Sequence, residues 1–121
     1  MARFWPGPLS IIFAASPLVP PRVAGERNTI ALRVPLHPWC EALLGAVGGP
    51  LVSSSANLSG QPPCADAAEI VAAFGNQIDL VLDGGRIPTR PPSTVVDVSG
   101  GGLEVVRAGA VDVSAFAAKR R

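Results

Sequence analysis

Thirteen prolines and thirteen glycines are scattered through 121 residues, and they cut the chain into short apolar runs. No run approaches the roughly 20 apolar residues that a membrane-crossing helix needs. Regular structure must therefore come in short pieces with frequent turns. The runs predict strands at Ser10–Ala15 in "LSIIFAA", at "TIALRVP", which Pro35 closes, at "PLVSS" and at "IDLVLDGG". "STVVDVS" and "LEVVRAG", joined by Gly100, Gly101 and Gly102, predict a hairpin. Pro38 suits the first position of a helix through about Val47, with Trp39, Leu43, Leu44 and Val47 on one face and Gly48 and Gly49 at its end. "ADAAEIVAAFG" predicts a second helix that packs through Ala68, Ile70, Val71 and Phe74, and "DVSAFAAKRR" a weak third. "SPLVPPRVAGERN" reads as a loop, because three prolines break regular pairing. The expectation is one α/β layer structure over residues 1–121, with strands both parallel and antiparallel.

Composition narrows the class. Hydrophobic residues make up 48% of the chain, enough for a core and against disorder. Ten basic and nine acidic residues leave a net charge of +1, which does not favour a dedicated nucleic-acid binder. Cys40 and Cys64 lie far apart and match no metal or redox spacing, so reduced thiols in a cytoplasm are expected. Arg3, "LSIIFAA" and the small residues Ala14, Ala15 and Ser16 imitate a signal peptide. That run is at the short limit for one, and Pro6, Gly7 and Pro8 crowd its start.

Polar residues gather at the ends of the predicted strands. Arg33 lies near the end of "TIALRVP"; Ser53, Ser54, Ser55 and Asn57 end the run "PLVSSSAN"; Asp83, Gly84 and Gly85 end "LVLDGG". In open α/β sheets ligands bind outside the carboxyl ends of strands. Small hydroxyl and amide groups there leave room for a ligand and offer donors to phosphate or carboxylate oxygens, and an arginine completes a site for an acidic small molecule. The bland alternative is that each turn satisfies only its own backbone. Gly84 and Gly85 fit either reading, whereas Gly100–Gly102 fit a hairpin turn better than a phosphate cradle, since no helix follows. His37 suits packing at a helix start, and Arg86, Arg90 and the tail Lys119–Arg121 suit solvated surface charge. The sequence contains neither a nucleophile elbow nor a P-loop, so any chemistry would run on positioning and charge stabilisation, as in phosphoryl or nucleotidyl transfer.

The succession "FWPGPLS", "RVPLHP", "LVSSSANLSG", "LVLDGG", "PSTVVDVS" and "VVRAGA" resembles the YrdC-like domain of threonylcarbamoyl-AMP synthases, from Phe4 to about Ala110. The resemblance implies a twisted mixed sheet with flanking helices around a concave cleft. It also implies a nucleotidyltransferase that condenses L-threonine, bicarbonate and ATP, with Mg2+ accompanying the ATP, into threonylcarbamoyl-adenylate and pyrophosphate. The product would pass to the machinery that modifies adenosine-37 of tRNA. By this resemblance Thr29, Ser55, Asn57 and Arg107 face ATP, and Pro63 stands where relatives often carry a serine that contacts it. Arg33, Ser53 and Ser93 face L-threonine, and no protein nucleophile is expected. The family's Lys-x-Arg motif has no counterpart, since the only lysine is Lys119. The chain therefore reads as the C-terminal part of the domain, truncated at the N-terminus.

Two other classes compete. A double-stranded RNA- or ribosome-binding protein of the same family would cluster its basic residues on one face, whereas the arginines here are scattered. A carbamoyl-phosphate-handling domain of hydrogenase maturation would normally sit in a larger chain with zinc-finger cysteines, which this sequence lacks.

Overall fold

The computed structural model describes residues 3–88 and 90–117. They form two units, one built from the chain up to Glu41 and from Arg90 onward, the other from Ala42 to Thr89. The first holds a four-stranded sheet of β1 (Leu9–Ala14), β2 (Thr29–Leu32), β3 (Thr94–Asp97) and β4 (Glu104–Arg107). Its order is β2-β1-β3-β4. β1 pairs with β2 antiparallel and with β3 parallel, and β3 pairs with β4 antiparallel. A parallel pair needs a long crossover, and here everything from Ala15 to Ser93 lies between the two central strands. The expected mixed α/β sheet is present, and β1 begins one residue earlier than the apolar run suggests.

Strand alternation sorts the sheet into two faces. Leu9 and Ile11 of β1 lie across from Thr94 and Val96 of β3 and share one face with them. Leu9, Ile11, Val96 and Val113 are the buried cluster, with Phe4, Trp5, Phe13 and Leu103 packed against it. Each such aliphatic side chain stabilises the fold by about 1.5–3 kcal/mol relative to exposure. The other face carries Ser10 and Ile12 of β1, Val95 of β3, and Thr29 and Ala31 of β2. It is half-buried to exposed. The hairpin forms at the expected place, with Asp97 opposite Glu104 and a bulge between Val95 and Val96.

Proline and glycine set the remaining boundaries. The presumed loop at 16–28 contains a short helix, α1 (Pro21–Ala24), because Pro21 sits at the first helical position where its missing N–H does no harm. β2 ends at Leu32, earlier than "TIALRVP" suggests. α2 (Pro38–Val47) matches its expected bounds and ends as the Gly48 N–H, at φ 71°, donates to the Leu44 carbonyl. α3 (Ala67–Phe74) also forms, with Asp66 accepting from the Glu69 N–H as its N-cap, and the 3-10 turn Gly75–Gln77 follows. α4 (Ser114–Ala117) falls within the expected tail helix; Lys119–Arg121 lie outside the described residues.

Two expected strands are absent. "PLVSS" and "IDLVLDGG" form no ladder among the described residues, and a strand exists only where a partner completes one. Most of their apolar side chains are exposed, Val52 to 89% and Leu80 to 74%, while Ile78 and Val81 are half-buried. The packing stripes of α2 and α3 are only partly covered: Trp39, Leu43, Val47 and Val71 are exposed, whereas Leu44, Ile70 and Phe74 are half-buried.

Candidate functional site

Four of the expected site residues belong to the sheet unit. Thr29 opens β2 opposite Ala14, and Arg33 directly follows the strand, continuing the row of Thr29 and Ala31 by alternation. Its Nε donates to the Gly7 carbonyl at 3.0 Å. Gly7 is required there, because a Cβ on it would collide with the Phe4 carbonyl. The Gly7 N–H in turn donates to the Val34 carbonyl at 2.8 Å, so the chain on either side of Arg33's contact is closed.

Ser93 immediately precedes β3, and Arg107 ends β4 opposite Val95. Arg107 grips Ser93 through three hydrogen bonds. Its Nε and Nη2 donate to the Ser93 carbonyl at 3.1 and 2.9 Å, and Nη2 also reaches the Ser93 Oγ at 3.0 Å. Ser93 Oγ lies a further 3.2 Å from the Ser10 Oγ. Ser10 was not among the residues singled out from sequence. The available signal was a lone hydroxyl inside the otherwise apolar strand "LSIIFA".

The backbone behind Ser93 is held tightly. Thr94 is fully buried, and its Oγ1 donates to the Val111 carbonyl at 2.7 Å and accepts from the Val111 N–H at 2.9 Å. Ala110 N–H donates to the Pro92 carbonyl at 2.9 Å. Gly109 passes so close to the backbone of Pro92, Ser93 and Thr94 that any Cβ would overlap it.

The other four residues, Ser53, Ser55, Asn57 and Pro63, belong to the second unit. Their turn closes through its own backbone: Asn57 N–H to the Ser55 carbonyl, Gln61 N–H to Leu58, and Cys64 N–H to Ala56 at 2.8 Å. Asn57 Nδ2 donates to the Leu58 carbonyl at 3.0 Å. Among the described residues the hydroxyls of Ser53 and Ser55 take part in no hydrogen bond. The turn thus ties three of its backbone N–H groups to its own carbonyls.

Two other polar groups have local duties. Asp83 accepts from the Gly85 N–H at 2.8 Å, an ordinary turn that Gly85 closes at φ 83°. Arg86, read as a surface charge, pairs with Asp66 at 2.5 Å and Glu69 at 3.5 Å beside the start of α3, while remaining 68% exposed. Among the described residues no group of three His, Cys, Asp or Glu side chains is arranged to hold a metal ion.

The described residues thus place hydroxyls and arginines on the less buried face of an open mixed sheet in an α/β fold. The family model Sua5_yciO_yrdC, described as telomere recombination, matches residues 1–109. The chain belongs to that family. It is 42% identical over 103 residues to the threonylcarbamoyl-AMP synthase of Coxiella burnetii (strain RSA 493 / Nine Mile phase I), covering 85% of this chain and 54% of that protein. It is 38% identical over 114 residues to a putative threonylcarbamoyl-AMP synthase of Mycobacterium tuberculosis (strain CDC 1551 / Oshkosh), covering 94% and 52%. The crystal structure of P. abyssi Sua5 complexed with L-threonine matches with a TM-score of 0.85 at 32% identity, over 94% of this chain and 34% of that one. E. coli YciO matches with a TM-score of 0.82 at 37% identity, over 92% and 54%. The chain spans about half the length of the curated relatives it matches.

Proposed function

We propose that this chain carries substrate-binding elements of a threonylcarbamoyl-AMP synthase, acting in the cytoplasm on behalf of tRNA modification. The observation that carries the reading is the contact between Arg107 and Ser93. It joins a cation suited to phosphate with a hydroxyl suited to a carboxylate, on one face of one sheet. Such an arrangement brings an amino acid and a nucleotide close enough to react without a protein nucleophile.

In the reaction so proposed, the amine of L-threonine and bicarbonate give a carbamate and water. A carbamate oxygen then attacks the α-phosphorus of ATP, and pyrophosphate leaves. Arg33 offers its remaining guanidinium N–H groups to the threonine carboxylate, and Ser93 and Ser53 offer hydroxyls on the threonine side. Thr29, Ser55, Asn57 and Arg107 serve the nucleotide, and Pro63 contributes shape without a donor. Mg2+ enters with ATP on the phosphate oxygens, the usual manner for this ion. The guanidinium of Arg107 faces charge that grows on the phosphate oxygens as pyrophosphate departs.

Calorimetric titration tests the reading. L-Threonine and ATP should each bind the chain saturably, L-valine should bind less well than L-threonine, and Asn57→Ala should weaken ATP by roughly tenfold. Absence of saturable binding by both substrates, or indifference of ATP affinity to Asn57→Ala together with indifference of threonine affinity to Ser93→Ala, would overturn it.

A further inference from the structure

We propose that Ser10 is a positioning residue for Ser93, and that the two hydroxyls with Arg107 form one donor row on the open face of the sheet. The inference rests on the assignment of Ser93 to L-threonine. Parallel pairing of β1 with β3 sets Leu9 beside Thr94 and Ser10 beside Val95, which brings Ser10 next to the residue just before β3. The two oxygens are 3.2 Å apart, although the residues are 83 positions apart in sequence.

Donor counting shows what the pair does. A hydroxyl has one proton to give and two lone pairs to receive. Arg107 can only donate, so its Nη2 takes one lone pair of Ser93 Oγ. If Ser10 donates to Ser93, both lone pairs of Ser93 are filled and its proton is left over. If Ser93 donates to Ser10, the proton of Ser10 is left over instead. In either case one O–H remains unspent beside a guanidinium. A carboxylate or carbamate oxygen is the group such a row receives.

Ser10 also removes a freedom. Without its hydroxyl, Ser93 Oγ keeps only the contact to Arg107, whose grip is directed mainly at the Ser93 carbonyl. The side chain can then turn to other rotamers, and the ligand must order it on binding. Arg107 keeps its carbonyl contacts whichever rotamer Ser93 adopts. Loss of Ser10 should therefore act on the amino-acid ligand and spare the nucleotide.

The test uses the full chain with Ser10→Ala, Ser10→Thr and Ser93→Ala. Ser10→Ala should weaken L-threonine by about two- to tenfold, the range of one net hydrogen bond, and leave ATP affinity unchanged. Ser10→Thr keeps the hydroxyl on a residue that suits a strand and should restore threonine affinity. Hα–Hβ couplings of Ser93 by NMR should report one rotamer in the parent chain and an average in Ser10→Ala, with no ligand added. Parallel loss of threonine and ATP affinity would mark a merely structural role and overturn the proposal, as would Ser93 couplings unchanged by Ser10→Ala. If Ser93→Ala leaves threonine affinity intact, the substrate assignment fails, and the couplings alone then decide whether Ser10 positions Ser93.

Discussion

Thr94 shows how one side chain holds the floor of the candidate site. Its hydroxyl ties β3 to both the N–H and the C=O of Val111. Replacing it with valine keeps the shape and removes both bonds. The polar groups of Val111 are then left facing a buried apolar side chain. Thr94→Val should destabilise the protein by about 1–3 kcal/mol, read as a shift of the urea midpoint, with Thr94→Ser much milder. Gly109 fails for a different reason. Its Cβ position is already filled by the backbone from Pro92 to Thr94, so Gly109→Ala must push that segment away. Ser93 moves with it. Gly109→Ala should therefore lower threonine affinity as well as stability, whereas Gly49→Ala, with open space around the Cβ, should change neither.

At the scale of elements, turns and caps are where charge matters. In the hairpin turn, Asp97 accepts from the hydroxyl of Ser99 at 2.6 Å and from its N–H at 2.7 Å. The hydroxyl chiefly, then the backbone N–H, hold the Asp97 carboxyl below its ordinary value of 3.8, with a weaker contribution from the positive charge of Arg27. Asp112 is lowered likewise, first by the backbone N–H of Ser114 and then by its hydroxyl. A carboxylate held low in the folded state is protonated more readily when unfolded. These contacts therefore stabilise fully above about pH 4, near the ordinary carboxylate value, and are lost as pH falls through the lowered folded values. Ser99→Ala should move the Asp97 midpoint up toward its ordinary value, followed by its carboxyl 13C shift during acid titration. A midpoint that stays put would refute the role of the hydroxyl. In α3, Asp66 caps the first turn while Glu69 returns a carboxylate to the Ala65 N–H at 2.7 Å. Asp66→Ala should cost about 1 kcal/mol of helix stability.

At the scale of the whole molecule, the two units differ in how well they are covered. The sheet unit contains every buried residue in the described chain, whereas none of the described residues from Ala42 to Pro88 is buried. Amide exchange should reflect this. Protection should be high at β1 and β3, which lie in the middle of the sheet, and low throughout α3, which has no buried residue. Equal protection in the two units would contradict it. Exposed apolar side chains such as Leu18, Leu36, Val52, Leu80 and Ile87 also leave much surface that water disfavours. The chain alone should self-associate as concentration rises, read by sedimentation velocity. A single monomeric species throughout would count against this account of its surface.

Local rules made part of this protein legible in advance. Proline at a helix start, the apolar spacing of "ADAAEIVAAFG", and glycines between two strand-like runs place α2, α3 and the hairpin, because each feature acts within a few residues of itself. The ordered motifs from "FWPGPLS" to "VVRAGA" likewise disclosed the family without any coordinates. Long-range pairing escaped that reading. The apolar runs in "PLVSS" and "IDLVLDGG" signal strands, yet a strand needs a neighbour, and the described residues supply none. The link of Ser10 to Ser93 and the grip of Arg107 on Ser93 depend on the registers of β1 with β3 and of β3 with β4. A slip of one residue in either register would send those side chains to the opposite face. Residue types alone carry no record of register across 83 positions, so tertiary pairing decided which hydroxyls meet the arginine.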